Sequence, residues 1–324
     1  MLPRHLLQVL LKMMMVFKGI EAVTEDFRRS FVTIGNFDGV HLSHQFICRK
    51  LVSEARKQGA KALVITFDPH PKMVLHPMIR PFYLITTLEE KLKELEKCGV
   101  NATLVIPFSL DYAQVTAEQF VHEFLWQKLA IKKIIVGHDY TFGQGKQGNS
   151  DYLMSCGKEM GFDVEVVDAF KIKQDIISST LVRKLILQGD IQDVTTLLGR
   201  YYNVAGKVVS GMGRGAGLGF PTANIEPNKE LLPPTGIYAA FAEVGGKRYP
   251  AVLNIGEKPT FNDYTFTFEV HLLDFSSDLR GKIVNTEFVE KLRDIIKFDS
   301  PEKLKTQIAR DVEKARSVLL RNMK

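Results

Sequence analysis

The chain is 324 residues long, 45% hydrophobic and 25% charged, the proportions of a soluble globular protein with room for two domains. Its formal charge of +6 is mild for that length and its lysines and arginines are spread along the sequence, which favours anionic small molecules before nucleic acid as partners; charge alone does not exclude nucleic acid, but none is expected. No run approaches the roughly 20 apolar residues of a membrane span, and Cys48, Cys98 and Cys156, odd in number and without metal-type spacing, point to a reducing cytoplasm without disulfides.

Residues 1–17 are apolar and basic in the manner of a signal peptide, but Lys12 interrupts the apolar run and no small-residue cleavage site follows. Met13, Met14 and Met15 offer alternative starts, and residues 1–14 are expected to form a disordered extension. From Phe31 to about Phe170 short apolar runs alternate with helical periodicities. Strands are expected at 31–34, 62–67, 102–108, 131–136 and 164–167, and helices at 45–58, 88–98, 117–129 and 152–160. Thr87 and Thr116 suit N-caps; Gly99 and Gly161 suit C-terminal stops. The alternation implies an α/β fold with a doubly wound parallel sheet, whose chemistry should gather beyond the carboxyl ends of the strands, at a topological switch point.

Those strand ends carry polar or glycine-rich motifs. The first is followed by Gly35-Asn36-Phe37-Asp38-Gly39-Val40-His41-Leu42-Ser43-His44, a strand-to-helix turn that aims backbone N–H groups and a helix N-terminus at one spot suited to phosphate. Gly35 and Gly39 allow close backbone approach, and His41 and His44, three apart, share one side of the first helical turn. The second is followed by Thr66-Phe67-Asp68-Pro69-His70-Pro71, the fourth by Gly137-His138-Asp139-Tyr140-Thr141-Phe142-Gly143, and the fifth by Ile177-Ser178-Ser179-Thr180-Leu181-Val182-Arg183. Ser179 and Thr180 open a helix where hydroxyls and amides bind phosphate or simply cap the helix, and Arg183 follows one turn later.

Gln188-Gly189-Asp190 ends one helix and opens a short one at 191–198. Beyond it the period changes to that of strands, at 202–210, 236–244, 248–255 and 265–275, with Gly245-Gly246 a two-residue hairpin turn. A helix returns at the end, with Ser300 as N-cap, Pro301 at its first position and Leu304, Ile308, Val312, Ala315 and Leu319 as an apolar stripe. The second half is therefore a β-barrel-like unit with a terminal helix. Between 211 and 224 lies the densest glycine stretch, including Gly213, Gly215, Gly217 and Gly219 and closing on Phe220-Pro221-Thr222-Ala223-Asn224. Its start fits a relaxed dinucleotide fingerprint, which needs a helix directly afterwards; Pro221 forbids one, so the loop is expected to wrap phosphates with its amides. In strand 265–272, Phe266, Phe268, Val270 and Leu272 share one face and Thr267, Glu269 and His271 the other. Such a polar face looks either at solvent or at a ligand.

Two sets of motifs, together spanning about residues 30–310, resemble those of bacterial bifunctional FAD synthetases. GNFDGVHLSH resembles GxFDGxHxGH of the HxGH nucleotidyltransferases, with Ser43 where the family has glycine, and the three later motifs resemble FDPHP, VGxDFxFG and ISSTxIR. GLGFPTAN, with Gly236-Ile237-Tyr238, Asn254-Ile255-Gly256, Pro259-Thr260-Phe261 and 269–275, resembles riboflavin kinases. The resemblance implies an FMN adenylyltransferase domain at 1–186 with a doubly wound sheet of HxGH type, a linker helix at 187–199 and a β-barrel riboflavin kinase domain with a terminal helix at 200–324. It implies ATP-phosphate contacts for His41, His44, Ser179, Thr180 and Arg183, nucleotide or flavin contacts for Gly35, Phe37, Asp38, Gly39, His70 and Asp139, and magnesium ligation with ATP by Thr222 and Asn224. It also implies Glu269 as the base for the riboflavin hydroxyl and Arg293 as a flavin neighbour. The expected activity is phosphorylation of riboflavin to FMN and adenylylation of FMN to FAD with release of pyrophosphate, by a cytoplasmic monomer or weak homo-oligomer using ATP, riboflavin and FMN, without a membrane. An enzyme with only the kinase half active, or a silent flavin-binding or regulatory protein, are the alternatives.

Overall fold

The computed structural model describes residues 13–76, 82–172, 175–210, 217, 219–259 and 264–322. The chain forms two compact units, Met1–Phe82 with Leu88–Ser178, and Tyr83–Thr87 with Ser179–Lys324. Among the described residues no helix is long and apolar enough to cross a membrane.

The first unit is built on β1 (Met15–Lys18), β2 (Phe31–Ile34), β3 (Ala62–Asp68), β4 (Ala102–Pro107), β5 (Lys133–Gly137) and β6 (Asp163–Val167). They form one six-stranded sheet in the order β1-β4-β3-β2-β5-β6, parallel throughout, and a short antiparallel pair, β7 (Lys171–Ile172) and β8 (Asp175–Ile176), follows. β2 is buried at every position, as a central parallel strand covered on both faces must be. One face takes Phe31, Ala62 and Val64 against Ile47, Leu51 and Ala55 of α1 (Leu42–Lys57) and Leu95 of α3 (Leu88–Lys97). The other takes Val32, Ile34, Leu63, Ile65 and Leu104 against the helix that opens at Ala117 (α4) and against α5 (Ser150–Met160). The chain runs outward from β2 through β3 to β4 and then resumes at β5 on the other side of β2, so the switch point lies between β2 and β5.

Two expectations in this unit need correction. Residues 1–12 lie outside the described residues, but the segment just behind them is ordered: Met14 donates its amide to Glu96 Oε1 at 3.1 Å, and β1 pairs with β4. Only Phe17 of β1 is buried, too few apolar positions for an alternating pattern to be read. The helix expected at 117–129 is capped as expected, with Thr116 and Gln119 closing a capping box, but continues as a π-helix over Phe120–Lys128. The same apolar spacing serves either winding. Phe120, Val121 and Leu125 are buried.

The second unit is a closed barrel in the order β10-β13-β12-β11-β14-β9, antiparallel at every junction. Its strands are β9 (Tyr202–Val209), β10 (Ala223–Pro227), β11 (Gly236–Val244), β12 (Lys247–Pro259), β13 (Tyr264–Leu272) and β14 (Ile283–Arg293). Gly245 and Gly246, at φ 58° and 77°, make the expected hairpin turn between Val244 and Lys247. Phe268, Phe288 and Tyr238 pack together, with the Phe268 and Phe288 rings stacked at 6.1 Å. The terminal helix α8 (Pro301–Arg321), capped by Ser300, lays Ala315, Val318 and Leu319 on Ile237, Ala239, Phe241, Val289 and Leu292. α6 (Ser179–Gln188) and α7 (Ile191–Leu198) complete the unit, joined at Gly189.

β10 and β14 were not foreseen as strands. In β14 the apolar residues Val284, Phe288, Val289 and Leu292 stand at helix-like intervals, although Val284, Thr286 and Phe288 are buried alternately as in any strand; the ladder to β11 then shifts register twice, turning Val289 and Leu292 outward to α8. Arg293 is thus the last residue of a strand.

Candidate active sites

In the first unit the turn after β2 is held in a conformation that side chains with a Cβ seldom adopt. Phe37, Gly39 and Val40 have φ of 48°, 82° and 38°. Phe37 and Val40 tolerate it because both are buried, 2% and 0% exposed, in the core under α1. The Gly35 amide donates to Ile65 O at 3.1 Å, tying the turn to β3. His41 is the N-cap of α1: its Nδ1 accepts the His44 amide at 3.4 Å, so the ring proton of the neutral imidazole sits on Nε2. The two rings stack, with centroids 3.6 Å apart, and Phe37 meets His44 edge-on at 5.0 Å. His44 Nδ1 is buried with no hydrogen-bond partner among the described residues. Burial first, then the charges of His41 and Lys91, hold the His44 pKa well below the usual histidine value, so this imidazole is neutral at neutral pH.

Lys91 was not foreseen. It is a buried cation on α3 whose Nζ donates to Thr66 Oγ1 and Phe67 O, each at 3.3 Å, while Thr66 Oγ1 donates to Asn36 O at 3.1 Å. The end of β3 and the turn after β2 are thereby pinned together. Burial lowers the Lys91 pKa, against the pull of the Asp38 and Asp68 carboxylates. Its signal was in the sequence: a lysine one turn before Leu95 on the stripe that faces the sheet.

Other expected residues of this unit take local roles. Asp38 is buried. His70, also buried, caps α2 (Pro71–Leu75) by accepting the Lys72 amide at 3.1 Å, and its ring lies 4.7 Å from that of Phe82; the Asp68–Pro69 bond before it is cis. Asp139 is exposed in the turn after β5, on the far strand of the switch point.

Ser179, Thr180 and Arg183 belong to the second compact unit, at the start of α6, where Arg183 Nε donates to Tyr83 O at 2.7 Å. In the barrel, register places three polar side chains in one row. Asn224 of β10 stands opposite Glu269 of β13, and Asn254 of β12 stands opposite Glu269 on its other side. Directly opposed residues share a face of the sheet, with Cβ atoms about 5 Å apart. Asn254 Nδ2 donates to Glu269 Oε2 at 3.3 Å. The alternation expected of β13 holds where it matters: Phe268, Val270 and Leu272 are buried and Glu269 and His271 half-buried, though Phe266 is 40% exposed.

His271 Nδ1 lies 2.7 Å from Pro221 O, and since a carbonyl only accepts, the ring nitrogen donates. The Phe220 ring meets His271 edge-on at 5.8 Å. His271 therefore fastens the segment that carries Thr222 to the strand that carries Glu269. Gly219 has φ 87°, which favours glycine, and Gly217 is exposed. Gly213 and Gly215 lie outside the described residues. Arg293 pairs with the buried carboxylate of Asp311 on α8, with Nη2 to Oδ2 at 2.7 Å and Nε to both oxygens at 3.0 Å.

Residues 23–181 match the FAD synthetase family and residues 198–319 the riboflavin kinase family. The chain is 35% identical over 305 residues to the bifunctional riboflavin kinase/FMN adenylyltransferase of Haemophilus influenzae, covering 94% of this chain and 99% of that one. With the enzyme of the same name from Escherichia coli K12 the identity is 36% over 305 residues, covering 94% and 97%. The chain belongs to the bifunctional riboflavin kinase/FMN adenylyltransferase family. A solved structure from Streptococcus pneumoniae, described as a macrolide-efflux protein, shares the fold with a TM-score of 0.85 and 30% identity, over 94% of this chain and 99% of that one.

Within a bifunctional riboflavin kinase/FMN adenylyltransferase, the boundary between the matched families, residues 182–197, falls on α6 and α7. Asn254 is the residue of the barrel row that motif reasoning left without a role. Asparagine is depleted in strands, and this one interrupts the buried Leu253 and Ile255, which was the available signal.

Proposed function

We propose that the barrel unit transfers the γ-phosphoryl group of ATP to the 5′-hydroxyl of riboflavin, and that the parallel-sheet unit transfers an adenylyl group from a second ATP to the resulting FMN, releasing pyrophosphate and FAD. Membership of the family supports both steps. The observation that carries the kinase assignment is the row of Asn224, Glu269 and Asn254, a carboxylate flanked on both sides by neutral amides. Such a carboxylate can orient a primary alcohol and accept its proton as the oxygen attacks phosphorus.

Magnesium suits the same face. Thr222 and Asn224 offer neutral oxygen donors beside Glu269, and a hard cation that keeps several waters and shares phosphate oxygens needs no dedicated cage. Among the described residues no cluster of His, Cys, Asp or Glu forms one. Bound there with ATP, the ion would neutralise charge on the transferring phosphoryl group. Asn224 and Thr222 would hold it, and His271, through Pro221 O, would keep Thr222 in place.

Adenylyl transfer needs no protein nucleophile: the FMN phosphate attacks the α-phosphorus in line and pyrophosphate leaves, so positioning and charge stabilisation are the whole task. His41 presents an Nε2–H donor because its Nδ1 is occupied as the cap, and the first amides of α1 add backbone donors. Neutral His44 supplies its one ring proton. By motif, Ser179, Thr180 and Arg183 at the start of α6 bind phosphate, Asp139 and His70 border a nucleotide or flavin, and the glycines at 213–219 wrap ATP in the kinase. Small-molecule substrates and three free, buried thiols fit a cytoplasmic enzyme.

The test supplies the full chain with riboflavin and MgATP, and separately with FMN and MgATP, and separates products by chromatography. FMN and FAD are expected. The proposal fails if neither forms.

A further inference from the structure

Asn254 has two unlike ends. Its Nδ2 donates to Glu269, while its Oδ1 is buried and has no hydrogen-bond partner among the described residues. Turning the amide over would set Oδ1 against the Glu269 carboxylate, oxygen to oxygen, so the carboxylate itself fixes which end faces away. Buried polar atoms are almost always partnered, and an acceptor left open beside a reactive carboxylate is suited to a donor that arrives with a ligand.

The position of Asn254 says which ligand. Along the row Asn224 lies on one side of Glu269 and Asn254 on the other. Thr222 and Asn224 take the nucleotide side, which leaves the Asn254 side to the phosphoryl acceptor. The ribityl chain of riboflavin carries hydroxyls on successive carbons, and two neighbouring hydroxyls match two acceptors on neighbouring strands. We propose that, with the reacting 5′-hydroxyl on Glu269, Asn254 Oδ1 accepts a hydrogen bond from the adjacent 4′-hydroxyl, making Asn254 a specificity-determining residue for the polyol. The proposal rests on the reading of Glu269 as the kinase base.

A double comparison tests it: riboflavin against 4′-deoxyriboflavin, with wild-type chain, Asn254→Ala and Asn254→Ser, reading kcat/KM for phosphorylation. The wild type should prefer riboflavin by roughly tenfold or more, Asn254→Ala should narrow that preference to about twofold by losing activity on riboflavin alone, and Asn254→Ser, which keeps an acceptor, should recover part of it. FAD formation from supplied FMN reports whether each variant folds. An undiminished preference in Asn254→Ala overturns the proposal. So does a wild-type enzyme that phosphorylates both flavins equally, a result that needs no variant. Glu269→Gln separates the two readings: full kinase turnover in that variant sinks the base assignment, while the deoxyflavin comparison still reports on Asn254.

Discussion

Protonating His44 means placing a second charge against the stacked ring of His41 and near the buried Lys91 ammonium, in a site that burial already makes hostile to charge. In the unfolded chain the same imidazole titrates near the ordinary value of about 6.5. Between that value and the lower folded one the unfolded state binds the extra proton, so the contribution of neutral His44 is complete above the ordinary value and is lost as pH falls toward the folded one. Wild-type thermal stability should therefore decline below about pH 6.5, while adenylyl transfer by the folded enzyme holds at that pH and falls only toward the lower folded value. His44→Gln should flatten the stability profile between pH 8 and 5; an unchanged slope would show that the site does not exclude the charge. Ser43 belongs to the same turn. It occupies the second position of α1 with helical backbone, whereas the left-handed positions are 37, 39 and 40. Glycine is thus not required at 43 by conformation. Ser43→Gly should lower stability by about 0.5–1 kcal/mol, seen as a small fall in melting temperature, and leave the KM for ATP within about twofold; a marked gain in ATP affinity would mean that the hydroxymethyl group crowds the nucleotide.

Elements were legible in proportion to how regular their pattern is. β2, β3 and α3 are uniform apolar runs or clean helical stripes, and they fall where periodicity puts them. β14 was missed because a buried threonine and two bulges give a strand the apolar spacing of a helix, and β10 because a five-residue strand behind a glycine loop has too few positions to show a period. α8 shows how one residue interrupts a legible stripe: Asp311, 5% exposed, lies among Leu304, Ile308, Ala315 and Leu319 and is paid for by Arg293 and by Gln307 Nε2 at 2.9 Å. A helix docked through a buried ion pair is sensitive to losing one partner, because the other is left charged and desolvated. Asp311→Ala should destabilise the chain by about 3 kcal/mol, measured as a shift in the denaturant midpoint. Arg293→Met with Asp311→Leu should recover most of it. A loss within experimental error in the single variant would assign Arg293 to the flavin, with the pair incidental to α8.

At the scale of the whole molecule, motif order pointed to two activities, and the motifs singled out His41, His44, Glu269 and Asn224. What stayed hidden were the residues that act by contact between distant segments: Lys91, which joins α3 to the ends of β2 and β3, and Asn254, whose meaning depends on strand register. Register is a property of the closed barrel and no single strand carries it. His41 lies in the first compact unit and Glu269 in the second, so each step should be removable without the other. His41→Asn keeps an N-cap acceptor on α1 but removes the imidazole donor, and should cut FAD formation by about 10²-fold or more while leaving FMN formation intact. Glu269→Gln should do the reverse, making no FMN from riboflavin yet converting supplied FMN to FAD. An equimolar mixture of the two variants, given riboflavin and MgATP, should then restore FAD after a lag in which FMN accumulates, because the first variant releases FMN to solution and the second takes it up. Persistent FMN with no FAD from the mixture, when each variant is active alone on its own substrate, would show that FMN must pass to the second step within one chain.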